Sequence, residues 1–253
     1  MVIGKKVYRQ HTVIDSMAWA RDHSDDAPDG SVFLADVLTG AKGRHNRTWN
    51  IQQGQLIVTL LLKPSAPLFA VPEDNAIRLN QLSMALSLGI LEPLKTYGAT
   101  LKWPNDFVIG QKKIGGMLVQ VVWQNATPRS IVVGFALNVN NQFASDDPLA
   151  THATSLCSIT GTELDRRALY KDILSHLNRW YMEWKHHNFA GIYRQWRTEQ
   201  SYLGQPITVH QSDGELVNGR AQQVFPNGDL SLLDENGKQR IISFYQVEEI
   251  AHR

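Results

Sequence analysis

The sequence predicts an α+β protein in two parts, a mixed β-sheet with packed helices over residues 1–200 and a small all-β barrel over 201–253. Three observations predict it. Before Ser201, apolar runs of strand length alternate with segments of helical period. After Ser201, short strand-like runs are cut by Ser212-Asp213-Gly214, Pro226-Asn227-Gly228 and Glu235-Asn236-Gly237, the turn punctuation of a small antiparallel barrel. A chain of 253 residues is also long enough for one large core and a second, smaller one.

Taken in order, Val7–Ile14 and Ser31–Leu38 read as strands, separated by a segment that ends in the loop Asp25-Asp26-Ala27-Pro28-Asp29-Gly30. Leu56–Leu62 is almost continuously apolar, which suits a central strand buried on both faces. Ala76–Tyr97 has helical length, with Leu79, Leu82, Leu86 and Leu91 on one broad apolar face. Val108-Ile109, Met117–Trp123 and Ile131–Val139 supply three more strands. Asp165–Phe189 is an amphipathic helix with Asp165 as its N-cap and Leu169, Ile173, Leu177, Trp180 and Trp184 at helical spacing. A shorter helix forms around Ile192, Tyr193 and Trp196; these aromatics are core by their spacing. The late strands are Ile207–Val209, Leu216–Phe225, Asp229–Leu233 and Arg240–Phe244. No internal repeat and no low-complexity tract interrupts the chain.

Composition narrows the function. Lys and Arg total 25 against 24 for Asp and Glu, so there is no electrostatic footprint for nucleic acid, and no operator DNA is expected to bind. The single Cys157 excludes an internal disulfide and suits a reducing compartment. The start of the chain has no signal-peptide core and no run reaches membrane-spanning length, so a soluble cytoplasmic protein without a membrane partner is expected. The histidines make no metal signature: His186 and His187 are adjacent, about 100° apart on a helix, and cannot chelate one ion. No Gly-x-Ser-x-Gly elbow is present, which argues against a covalent serine mechanism and leaves Ser16 as a binding candidate.

Two segments carry chemistry. Leu101-Lys102-Trp103-Pro104-Asn105-Asp106 is followed by Lys112-Lys113-Ile114-Gly115-Gly116, and the interval reads as a hairpin that brings Asp106 and Lys113 together across two strands. A lysine beside bare glycine backbone suits an anion that must approach the main chain closely. It is not a nucleotide P-loop, because Gly116-Met117 stands where Lys-Ser/Thr is required. The second segment, Gly40-Ala41-Lys42-Gly43-Arg44-His45-Asn46-Arg47-Thr48-Trp49, interleaves basic side chains with glycine and ends in an aromatic. Such a loop can wrap carboxylate and phosphate together.

Lys-Trp-Pro-Asn-Asp followed by Lys-Lys-Ile-x-Gly resembles the signature of biotin protein ligases. The basic loop is similar to that family's Gly-Arg-Gly-Arg-x-Gly-Arg-x-Trp, with Ala41 and Asn46 in place of two glycines. Val13-Ile14-Asp15-Ser16, Gly134-Phe135-Ala136-Leu137-Asn138-Val139-Asn140 and Ala153-Thr154-Ser155-Leu156 extend the resemblance, in the same order, over nearly the whole chain. The resemblance implies a biotin/lipoate ligase catalytic fold, class II synthetase-like, closed by an SH3-like barrel. The DNA-binding domain of the family's repressor members is not expected, since the similarity begins almost at Met1.

What the resemblance implies chemically is a two-step ligase. A carboxylate attacks the α-phosphorus of ATP, with Mg²⁺ accompanying the nucleotide, and a carrier-protein lysine then takes the acyl group. By carry-over, Lys113 bridges carboxylate and α-phosphate, Arg44 and Lys42 hold the adenylate, and Asp106 orients the incoming amine. Lys102 and Asn138 contact phosphate or ribose, Gly43, Asn105 and Trp49 bind biotin or the adenylate, with Trp49 covering the adenine or anchoring the loop, and the backbone near Gly115 and Gly116 serves the acid pocket. Biotin is the implied acid and a biotin carboxyl carrier protein, such as an acetyl-CoA carboxylase subunit, the implied partner, with a homodimer possible. The acid pocket departs from the family: Met17, Ala18 and Leu38 replace polar residues and Ala136 replaces a glycine, with Ser16 and Thr39 left to compensate. Weaker biotin binding is therefore expected. Lipoate or octanoate is the alternative acid, and a non-catalytic relative the third reading.

Overall fold

The structure, a computed structural model, describes residues 2–41, 43–44, 49–64, 66–69, 71, 74–125 and 127–252. The first sheet is built from β1 (Val7–Val13), β2 (Ser31–Leu38), β3 (Leu56–Leu62), β4 (Ala99–Lys102), β5 (Asp106–Ile109), β6 (Lys112–Gln124) and β7 (Thr127–Leu137). Its seven strands run in the order β1-β2-β3-β7-β6-β5-β4. Only β1 and β2 pair in parallel, so the sheet is mixed, as expected.

Helix α1 (Ser16–Asp22) joins β1 to β2 and was not legible in the sequence. It is short, and its signal is a cap rather than a period: the Asp15 carboxylate accepts from the backbone N–H of Met17 (2.8 Å) and Ala18 (3.2 Å). α2 (Asn75–Leu94) is buried over most of its last three turns and lies between the sheet and the later helices. The expected helix to Tyr97 ends as α-helix at Leu94 and tightens to one 3₁₀ turn, Lys95–Tyr97, before left-handed Gly98. Next come α3 (Leu156–Thr160), α4 (Arg166–Lys185) and α5 (Phe189–Thr198). Asp165 caps α4, as read. α2 and α4 pack so closely that a Cβ on Gly89 would stand 2.8 Å from the Leu177 Cα.

The C-terminal sheet holds β8 (Pro206–Gln211), β9 (Leu216–Val224), β10 (Leu230–Leu233), β11 (Gln239–Ile242) and β12 (Val247–His252). It is antiparallel, in the order β11-β10-β9-β8-β12. Among the described residues no ladder joins the two end strands, and the five-stranded antiparallel sheet is consistent with the small SH3-like domain expected. β12 was missed for a physical reason. A bulge between Val247 and Glu249 spaces its buried residues, Val247 and Ile250, three apart and erases the period of two. One hydrophobic cluster runs through both sheets, from Ile3 to Ile250.

Strand alternation sorts the first sheet's side chains. Leu56, Val58, Leu60 and Leu62 of β3 face the main core with Ile131, Val133, Phe135 and Leu137 of β7. The other face carries Ile57, Thr59, Gly134, Ala136 and Gly116: Ile57 pairs with Ala136, Ala136 with Gly116 and Gly116 with Asp106. That row of small residues opens the site.

Candidate active site

A cavity of about 430 Å³ lies over this second face. α1 forms one wall. Its Met17 packs on Gly134, where a Cβ would stand 2.8 Å from the thioether sulfur, and the Thr59 hydroxyl donates to Ser16 Oγ at 2.8 Å. Leu38 and Ile57 cluster with Val13 and Ala35, and with partly buried Ala41 and Ala136, into an apolar end.

The opposite end is charged. Lys113 Nζ lies 2.6 Å from Asp106 Oδ1, the cross-strand meeting expected from the hairpin. The register explains it. Val108 pairs with Lys113 and Phe107 with Gly115, so Ile114 is an extra residue in β6. The bulge turns Ile114 into the core while Lys113 and Gly116 both keep to the cavity face. Its backbone groups are taken up elsewhere: Lys113 N–H donates to His152 O (2.8 Å), Thr154 N–H to Lys113 O (3.0 Å) and Asn138 N–H to Ile114 O (2.7 Å). Thus the two outlying motifs, Ala153-Thr154-Ser155-Leu156 and the one around Asn138, clamp the strand that carries Lys113. Glycine at 116 keeps the backbone flush with the ion pair; a Cβ there would meet Asp106 Oδ1 at 3.2 Å and Lys113 Nζ at 3.5 Å.

The Trp49 ring lies 5.2 Å from Lys113 Nζ, and Asn105 braces the hairpin by donating from Nδ2 to Met117 O at 2.7 Å. Arg44 makes a contact the sequence did not suggest. Its Nη2 donates to the carbonyls of Phe244 (2.9 Å) and Val247 (3.1 Å), and its guanidinium lies over the Phe244 ring. Phe244 in turn meets Trp103, whose indole N–H donates to Gly228 O at 3.0 Å. Arg44, the Trp-Pro turn and the C-terminal sheet are joined through the Phe244 and Trp103 rings.

Of the residues expected at the site, Ser16, Met17, Leu38, Gly43, Arg44, Trp49, Lys102, Asn105, Asp106, Lys113 and Gly116 line the cavity. Lys42, like Arg47, lies outside the described residues. Thr39 is exposed and off the cavity wall, Gly115 backs onto Ala136 O and Leu137, and Asn138 is buried, its Oδ1 accepting from Gln55 (3.0 Å) and Asn141 (3.3 Å). Sequence reading missed Asp15, Thr59, His152, Glu248 and Glu249, which also line it. The last two arrive on the unrecognised strand β12, and no local signal marks them.

Among the described residues no three His, Cys, Asp or Glu side chains come together as a metal site, and no helix is long and apolar enough to cross a membrane. Comparison with known proteins agrees with the geometry. The chain is 28% identical over 250 residues to the bifunctional ligase/repressor BirA of Bacillus spizizenii, covering 96% of this chain and 74% of that protein. It is 25% identical over 215 residues to the biotin–[acetyl-CoA-carboxylase] ligase of Paracoccus denitrificans, covering 82% and 86%. Its fold superposes with a TM-score of 0.80 on the biotin protein ligase from Aquifex aeolicus solved with biotin and ATP, at 23% identity, covering 98% of this chain and 100% of that one. The model of the biotin/lipoate A/B protein ligase family matches residues 7–138, more than half of the chain, and the protein belongs to that family.

Proposed function

We infer that this chain is an ATP-dependent biotin ligase: it activates biotin as biotinyl-5'-AMP and transfers it to a lysine of a biotin carboxyl carrier protein. One observation carries the reading, the Lys113–Asp106 pair held at 2.6 Å against bare glycine backbone in a cavity whose other end is apolar. That arrangement accepts an acid by its tail and presents its carboxylate to a cation.

In the first step a carboxylate oxygen bonds to the α-phosphorus of ATP and pyrophosphate leaves. Lys113 can bridge both anions and stabilise the charge that builds between them, because the clamped bulge holds its backbone still. Lys102, also on the cavity wall, adds positive charge for the phosphates. In the second step the carrier lysine's amine attacks the mixed anhydride, the acyl–oxygen bond to AMP breaks and an amide forms. Asp106 is freed when Lys113 turns to phosphate, and can then orient the incoming amine. Arg44 ties the basic loop to the C-terminal sheet and so shelters the intermediate from water. The described residues do not make a cage for Mg²⁺, since Asp106 is engaged with Lys113; an ion of this kind fits as a passenger on the triphosphate.

Residues 1–200 would then carry the chemistry and 201–253 cover the site, a division supported by the Arg44 contacts and by Glu248 and Glu249 at the cavity. The free, buried Cys157 supports a cytoplasmic enzyme. The apolar wall of Met17, Leu38, Ile57 and Ala136 favours lipoate or octanoate as the second reading. The intact Lys113–Asp106 pair argues against a non-catalytic relative. ATP–pyrophosphate exchange with biotin, lipoate and octanoate in parallel tests this: biotin-dependent exchange is expected, and exchange with the other acids alone replaces the reading.

A further inference from the structure

We propose that Thr59 is a positioning residue that sets the specificity of the acid pocket, by aiming the hydroxyl proton of Ser16 at a buried carbonyl of the substrate. This rests on the biotin reading and names the interaction that separates biotin from an apolar acid.

Both side chains are buried, Thr59 completely and Ser16 to 4% exposure, and both line the cavity. The Thr59 hydroxyl donates to Ser16 Oγ at 2.8 Å. A serine hydroxyl has one proton to give and two lone pairs to accept with. With one lone pair taken by Thr59, and no acceptor for its proton among the described residues, Ser16 is left as a donor. The backbone around it is equally fixed. Ser16 opens α1, directly after the Asp15 cap, and Thr59 sits in the middle of β3, paired with Gly134. An oriented donor is therefore mounted between a capped helix and a central strand.

The wall around it makes it selective. Met17, next in α1 and packed on Gly134, and Ile57 and Ala136 on the same sheet face offer no hydrogen-bonding side chains, and the carboxylate of Asp15 is engaged in capping α1. A donor left unpaired in such surroundings is costly, so an acid that accepts from it is favoured over one that cannot. Biotin's ureido carbonyl is such an acceptor; the dithiolane of lipoate and the tail of octanoate are not. Thr59 selects without touching the acid, by deciding which way Ser16 points its proton.

Thr59→Val keeps the shape and the β-branched strand preference but removes the donor, so Ser16 can turn its proton elsewhere. Exchange kinetics with biotin and with lipoate, read on wild type, Thr59→Val, Thr59→Ser, Ser16→Ala and the Thr59→Val/Ser16→Ala double variant, test the idea. The expected result is a KM for biotin raised about tenfold in Thr59→Val, with kcat kept, the lipoate response unchanged and Thr59→Ser restoring wild-type values. In the Ser16→Ala background Thr59→Val should add nothing, since it acts through Ser16. An unchanged biotin KM, an equal loss for both acids, or additive effects in the double variant would each overturn the proposal. A wild type that ignores biotin while using lipoate overturns the biotin reading itself, a result visible before any variant is made.

Discussion

The two faces of the central sheet are made from the same strands and do opposite work. On β7, Ile131, Val133, Phe135 and Leu137 belong to the main core, while on the other face Val132 is buried under α1 and the next two residues shrink to Gly134 and Ala136. β3 shows the same split, with Leu56, Val58, Leu60 and Leu62 on one side and, on the other, Ile57 and Thr59 at the cavity and Leu61 buried with Val132 under α1. The filled face pins the sheet to α2 and α4, so the face of small residues can stay open without the sheet collapsing onto itself. Stability and binding are thus separated by one residue of register.

The sharpest way to break this separation is to exchange neighbours across it. Leu137→Ala should cost about 2–5 kcal/mol in denaturant unfolding and leave biotin binding of the folded protein near normal. Ala136→Leu should leave a folded protein that no longer binds biotin by calorimetry. If both variants lose the same property, the faces are not independent.

Next in size, Lys113→Ala should slow adenylate formation by roughly 3–4 kcal/mol, two to three decades in pyrophosphate exchange, with an unchanged melting temperature. The side chain leaves no core behind, being about one third exposed. Normal exchange in a folded variant removes Lys113 from the chemistry.

Arg44→Ala loses the two carbonyl contacts that tie the basic loop to the C-terminal sheet. Hydrogen bonds from a charged donor contribute roughly 1.5–3 kcal/mol, so the adenylate should dissociate about ten- to a hundredfold faster and acylate bystander lysines. Release at the wild-type rate, followed by filter binding of labelled adenylate, would reduce the contact to surface decoration.

The smallest effect is expected from Leu38→Gln. Leu38 is nearly buried in the apolar end, and an amide there can pair with a ureido N–H. Biotin should tighten by about 1 kcal/mol, severalfold in KM. Weaker biotin together with unchanged lipoate use would place Leu38 away from the ureido ring.

Much of the site was legible because its signals are local. The Trp-Pro turn, the hairpin and the glycine pair lie within fifteen consecutive residues, Lys102–Gly116, and the pairing of Asp106 with Lys113 followed from hairpin geometry. The basic loop was recognisable by its alternation of charge and glycine. Thr59 was not, because inside the run Leu56–Leu62 it reads only as an interruption of an apolar strand. Glu248 and Glu249 escaped with β12, whose bulge hides its period.

The α+β class, the long helices, the turn-punctuated C-terminal sheet and the hairpin that joins Asp106 to Lys113 were all readable from local signals, since periodicity, caps and turn residues act over a few positions. Long-range packing settled which face of the sheet opens and that Ile114 bulges so that Lys113 and Gly116 share a side. It also decided that residues 152–154 clamp that bulge and that Arg44 reaches the C-terminal sheet. Those outcomes depend on register between strands far apart in the chain, and a shift of one residue would turn every side chain to the other face.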